Sequence, residues 1–348
     1  MTTALSTEPA AATASPRRDS RRRVVALGVL VVLVIIAAVV SVTFGTRSVA
    51  PADIIAGLTG DIDSTSAAAV ARRVPRTILA LLVGAALAMA GTVMQGVTRN
   101  PLADPQILGI NGGASLAVVI GLAFFGVTSA FGYIWLAMLG AAVAAVFVYT
   151  IGSLGRGGAS PLKLALAGAA TAVAFTSLIS AILLPRIDVM SVFRFWQIGG
   201  VGGATIDKIM LVLPFLVIGA LICLASSTAL NSLALGDELA AGLGERIMVA
   251  RLTSALGAVI LCGAATAVAG PIGFVGLIVP HVCRLIVGPD HRWLLPVTAL
   301  VGAGLLTVAD VVGRVIARPQ EVEVGVVTAL IGAPFFIAIV RRQRMRAL

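Results

Sequence analysis

Apolar residues run down this chain in ten blocks of about twenty, at roughly 24–44, 76–96, 107–126, 132–153, 164–184, 209–228, 249–269, 271–288, 293–312 and 322–340. Charged residues, proline or glycine clusters close each block. About twenty residues is the length a helix needs to cross a hydrocarbon core. Inside lipid the backbone polar groups must be satisfied within the segment, which helices do. The pattern therefore predicts an all-α polytopic membrane protein, with about ten transmembrane helices in one domain over 24–340. The seventh and eighth blocks divide at "AGPIGFVG". The first block is too long for a signal-peptide core and reads as an anchor. Ahead of it, residues 1–23 read as a disordered basic tail, and 341–348 as a second basic tail.

Charge orients the blocks. Ten spans put both termini on one side, and the arginines at 17, 18, 21, 22, 23, 341, 342, 344 and 346 assign that side to the cytoplasm. With the inner loops, 16 of the 25 basic residues then lie inside. The outer ones concentrate in two clusters, 72–76 and 314–318. The first, "ARRVPRT", opens the second block, and Pro75 is read as helping to set that helix's start.

Composition agrees: 59% hydrophobic residues, 11% charged residues and a mean hydropathy of +1.07 exclude an ordinary soluble domain. The 38 glycines suit helices packed closely in lipid. The net charge of +10 does not point to nucleic acid, because the basic residues sit at block ends, where orientation signals belong. Cys223, Cys262 and Cys283 lie singly in apolar segments and read as packing residues, with neither a disulfide framework nor a metal site.

Two octets, "GAALAMAG" from Gly84 and "GAATAVAG" from Gly263, are identical at six of eight positions. They fall in spans of opposite direction, as an inverted internal repeat relating spans two to five with seven to ten requires. After the second span, "TRNPLADPQILGINGGA" places Asn100 and Asp104 just before two prolines, a pattern that stops a helix and shapes a turn. Within "NSLALGDELAAGLGERI", Leu235, Leu239 and Leu243 recur every four residues among Asp237, Glu238, Glu245 and Arg246, as in a short amphipathic helix at about 234–246. Its central charges are acidic, so a cytoplasmic protein suits it better than anionic lipid. The run "GGVGGA" at 199–204 reads as an outer turn. There is no GxxxxGK[ST] and no HExxH, so any ATPase must be a separate chain. Asp310, four residues before Arg314, is expected to pair with it on one helical face.

Together these motifs resemble the FecCD-type permeases of binding-protein-dependent ABC importers for ferric siderophores, haem and cobalamin. The resemblance runs from Arg73 to the C-terminus and rests on "RVPRTILALLVGAALAMAGTVMQ", "RNPLADPQILGINGGA", "LALGDELAAGLG", "GPIGFVGLIVPHVCRLIVGPDHRWLLP" and "IGAPFFIAIV". It implies a transport subunit of the cytoplasmic membrane with no cofactor, no catalytic residues and no metal ligands. Its implied partners are a second permease subunit, identical or sister, two cytoplasmic ATP-binding subunits and an extracytoplasmic solute-binding protein. It implies an ATPase-coupling helix carrying Leu235, Gly236, Asp237, Glu238, Leu239, Leu243 and Gly244. It further implies a cytoplasmic gate at Asn100 and Leu102, and outward-facing Arg73, Arg76 and Arg314 that receive carboxylates of the binding protein. In "ASPLKLALAG", Pro161 and Leu162 replace hydroxyl residues of the family's other gate segment, so no role transfers to them. A ferric siderophore is the expected cargo, with cobalamin or haem as alternatives. An ion-coupled secondary transporter is opposed by the scarcity of mid-span carboxylates, and a membrane enzyme by the lack of a catalytic constellation.

Overall fold

The structure, a computed structural model, describes residues 16–60, 63–154 and 161–344. Residues 1–15 of the expected N-terminal tail and 345–348 of the C-terminal one lie outside the described residues; 16–23 are helical as the opening of α1, not a disordered tail, and 341–344 close α14. The helices are α1 (Pro16–Thr43), α2 (Pro51–Thr59), α3 (Thr65–Thr98), α4 (Ile110–Phe124), α5 (Ala130–Ser153), α6 (Pro161–Leu183) and α7 (Ile187–Ile198). They continue with α8 (Ile206–Ala225), α9 (Ser227–Ala234), α10 (Asp237–Gly242), α11 (Ile247–Ala269), α12 (Val275–Val287), α13 (His291–Ile316) and α14 (Val324–Arg344). Each of the ten apolar blocks is helical. Among the described residues, α1, α3, α5, α6, α8, α11 and α13 are long and apolar enough to cross a membrane, while α4, α12 and the apolar part of α14 are shorter.

The short helices follow from breaks in the chain. At 1.5 Å per residue, α12 covers only about 20 Å, less than a hydrocarbon core. Gly270 (φ 70°) ends α11, and the stretch 270–274 runs without helix before α12 begins. Earlier in the chain, Arg99 caps α3 in the left-handed region and Pro105–Leu108 form a single 3-10 turn before α4. These two interruptions meet: Asp104, Pro105 and Gln106 border the same small cavity as Leu87, Ile272 and Gly276.

α3 is the central element, with most of its length buried. α13 packs along it, so that Gly302 faces Gly84, Thr92 Oγ1 donates to Thr298 Oγ1 at 3.1 Å, and Asp310 faces Arg76. Gly91 meets the carbonyl of Gly276, and a methyl group at Gly84 or Gly91 would collide with the facing backbone. Small residues here let helices approach at backbone distance, which replaces the hydrophobic driving force that lipid cannot supply. α3 and α11, which carry the two octets, run in opposite directions, the relation an inverted repeat requires.

The expected start of the second span is also corrected. α3 starts at Thr65, where the Ser64 side chain accepts from the Ala67 amide, so Pro75 lies inside the helix and does not set its start. The apolar pattern begins late because the first turns pack on α2 and line a cavity bordered by charged side chains, where few large apolar residues are called for. α2 and α7 fall in segments read as outer connections.

α1 begins and α14 ends at the same end of the bundle, where Arg23 lies 4.0 Å from Asp290 just ahead of α13. α9 and α10 share this terminal end. Arg73, Arg76 and Arg314 lie at the opposite end.

Candidate functional site

At the opposite end, one buried carboxylate organises the arginines. Asp310, on α13, receives Arg76 Nη2 at 2.8 Å and Arg76 Nε at 3.1 Å, while Arg314 Nη2 lies 3.0 Å from its Oδ2. The Asp310–Arg314 pair at i, i+4 is the one expected from spacing; the bond to Arg76, 234 positions away in sequence, is new. Arg76 also gives Nη1 to Glu321 Oε2 at 2.7 Å. Arg314 donates to the carbonyls of Ser41 and Phe44, and to Ser41 Oγ at 2.7 Å. Because Thr77 Oγ1 donates to Arg73 O, Ser41 must donate to Thr77 at 2.7 Å, extending the chain of bonds from Arg314 to the Arg73 backbone.

The three arginines are 6%, 8% and 2% exposed, more enclosed than outward-facing side chains would be. Arg73 differs from the other two. Its hydrogen bonds go to the carbonyls of Val42, Thr43 and Arg47, at 3.2, 2.7 and 2.9 Å. All three arginines border a cavity of about 670 Å³, which the exposed Arg47 and Arg72 and the carboxylates of Glu321 and Glu323 also line. Burial lifts the Glu323 carboxyl above its ordinary value, against the pull of Arg76. Sequence reasoning singled out none of Arg47, Glu321 and Glu323 as members of this cavity. They stand in polar connections where spacing says nothing about three-dimensional partners.

At the terminal end, the helix expected at about 234–246 is shorter: α9 ends at Ala234 and α10 covers only Asp237–Gly242, because Gly236 and Gly244 turn the chain, so Leu235 and Leu243 flank the helix. Gly236 has φ 105° and Gly244 φ 85°, conformations that favour glycine. Leu235, Leu239 and Leu243 are 58%, 62% and 67% exposed, so this chain leaves them uncovered. Asp237 accepts Arg251 Nη2 at 2.8 Å and lies 3.1 Å from Arg99 Nη2, while Glu238 is exposed. Asn100 and Leu102 follow Arg99 directly. Asn100 Oδ1 accepts the Leu102 amide at 2.9 Å and Asp104 Oδ1 the Gln106 amide at 2.9 Å, the turns that the Asn-Pro and Asp-Pro pairs predicted. Asn231 on α9 donates to Asp290 Oδ1 at 2.7 Å and accepts the His291 amide at 2.9 Å. Burial works against the charged form of Asp290, but the hydrogen bonds from Asn231 and from the Arg292 amide hold its carboxyl below the ordinary value.

The chain matches the FecCD transport family over residues 33–342. It is 45% identical over 323 residues to the ferric enterobactin transport system permease protein FepD of Escherichia coli (strain K12), covering 92% of this chain and 96% of that one. It is 45% identical over 270 residues to the probable siderophore transport system permease protein YfiZ of Bacillus subtilis (strain 168), covering 78% and 81%. A solved chain described as an ABC transporter of metal-chelate type, in an inward-facing conformation, superposes with a TM-score of 0.80 at 30% identity, covering 92% of this chain and 99% of that one.

Proposed function

The chain belongs to the FecCD transport family, and on that footing we propose that it is the permease subunit of a binding-protein-dependent importer that moves an iron chelate, most specifically a ferric siderophore, across the cytoplasmic membrane. It is a multi-pass transport subunit, not itself an enzyme, and works with an ATPase and a binding protein. The cargo reading is carried by one observation, the 45% identity with a ferric enterobactin permease over nearly the whole of both chains. In this reading two permease subunits, identical or sister, enclose the pathway, and two ATP-binding subunits sit at the terminal end, in the cytoplasm.

Each end of the bundle has a part in this reading. Leu239 on α10, with Leu235 and Leu243 flanking it, offers an uncovered apolar surface that suits a groove of the ATPase. At the opposite end, a carboxylate from the binding protein enters the 670 Å³ cavity and meets Arg73, whose hydrogen bonds reach only backbone carbonyls. A guanidinium binds carboxylate through a fork of donors, so one acidic side chain per lobe fixes orientation as well as affinity. Arg76 and Arg314 act mainly through their field, being already committed to Asp310. Asn100 and Leu102 form the cytoplasmic gate at the end of α3.

Uptake of labelled ferric siderophores, haem and cobalamin by a deletion strain carrying this chain tests the cargo. Restoration of ferric siderophore uptake alone supports the reading. Restoration of only haem or cobalamin overturns it.

A further inference from the structure

We propose that Asp237 and Arg99 are positioning residues for transport, an ionic strut that carries movement of α10 into the end of α3 and the connection beyond it. The proposal rests on the reading of α10 as the ATPase contact.

The first observation is that one carboxylate bridges three elements. Asp237 is the first residue of α10 and lies 3.1 Å from Arg99 Nη2, at the end of α3. It also accepts Arg251 Nη2, on α11, at 2.8 Å through Oδ1 and 3.1 Å through Oδ2. Arg251 Nε is buried with no hydrogen-bond partner, so its bonds to Asp237 are what hold this guanidinium in place. The three side chains are 20–42% exposed. Ion pairs that open to water contribute little to stability, which makes position the more telling consequence of this network.

The second observation is where Arg99 sits. It caps α3 at φ 51° and ψ 33°, with its amide bonded to Gln95 O and Gly96 O. The Asn100 amide bonds Gln95 O as well, and Asn100 Oδ1 holds the Leu102 amide. A displacement of the Arg99 side chain therefore passes through a short, internally bonded turn. From that turn the chain runs to Asp104, Pro105 and Gln106, which share a cavity with Ile272 and Gly276 from the other interrupted connection.

The third observation is a pivot. Asn231 fastens α9 to the start of α13 through Asp290 Oδ1, the His291 amide and His291 Nδ1, at 2.7, 2.9 and 2.9 Å. The exposed leucines lie beyond this anchor, at Leu235, Leu239 and Leu243. A push on the leucines turns α10 about α9 and loads Asp237. Gly236, at φ 105° between α9 and α10, gives the turn its backbone freedom.

The test uses the complete transporter, with permease, ATPase and binding protein, in proteoliposomes. Arg99→Gln should leave the ATPase co-purifying and hydrolysing ATP, while chelate imported per ATP falls about three- to fivefold, the reach of one half-exposed ion pair, and Asp237→Asn should lower that ratio as far. The double variant should be no worse than either single one, and Arg99→Lys should recover part of the ratio. An unchanged ratio in both single variants, or additive losses in the double one, overturns the strut. Loss of the ATPase from Arg99→Gln also overturns it, since the ion pair would then serve the ATPase contact itself. Leu239→Asp separates this from the underlying reading. If the ATPase still co-purifies with Leu239→Asp, the assignment of α10 fails; if it is released while Arg99→Gln transports normally, only the strut fails.

Discussion

Replacing Asp310 by asparagine is the sharpest perturbation that the far end of the bundle offers. Asp310 is 1% exposed and is the carboxylate shared by Arg76 and Arg314, themselves 8% and 2% exposed. Asparagine keeps the shape and one acceptor, but leaves two buried guanidiniums facing a neutral amide. Removing one partner of a buried ion pair costs about 3–5 kcal/mol. Arg76 keeps Glu321 at 2.7 Å and Arg314 keeps its bonds to Ser41 and Phe44, which holds the loss near the lower end. A loss of about 3 kcal/mol corresponds to roughly 150-fold in the folding equilibrium. Reversible unfolding of the purified chain in mixed micelles, extrapolated linearly in denaturant, measures it. Adding Arg314→Gln removes one stranded charge, so the double variant should lose at least about 1 kcal/mol less than the sum of the single losses. A loss below about 1 kcal/mol for Asp310→Asn, or strict additivity, would refute the picture of one carboxylate clamping two cations.

Three further outcomes follow from the same structure. Arg73→Gln should weaken binding-protein affinity for nanodisc-embedded permease about 10- to 100-fold, with Arg73→Lys intermediate, and unchanged affinity would remove Arg73 from the docking site. Glu323 is an acid whose folded pKa is raised by burial, so its carboxylate penalises the fold above that raised value and ceases to do so as pH falls towards the ordinary 4.5. Glu323→Gln should therefore raise the melting temperature more at pH 8 than at pH 4.5, and an equal gain at both contradicts the assignment. Gly91→Ala pushes a methyl group against the Gly276 carbonyl and should cost about 1–3 kcal/mol in the same unfolding assay; a neutral effect would mean that α3 and α12 can part freely.

The helices were legible in the sequence because lipid imposes one long apolar block per span, and all ten blocks proved helical. The turns at Asn100 and Asp104 were legible too, since their side chains bond the backbone two residues on, a local rule. The Asp310–Arg314 pair followed from helical spacing. What spacing could not reveal was the bond between Arg76 and Asp310, or the enclosure of Arg73 by carbonyls near the end of α1. Both depend on α1 and α13 packing around a helix that outruns its own apolar block. Pro75 was misread because α3 begins before its apolar stretch, in turns that line a cavity bordered by charged side chains and carry little hydrophobic signal. Asp237 stood out as a charge in a motif, yet its two arginines arrive from separate spans, α3 and α11.

Chelate import by the assembled transporter tests the central claim most directly. Proteoliposomes containing the permease, its ATPase and the binding protein should accumulate iron-labelled ferric siderophore only when ATP and all three components are present. Accumulation that persists without ATP or without the ATPase, and collapses when an ion gradient is dissipated, would contradict it.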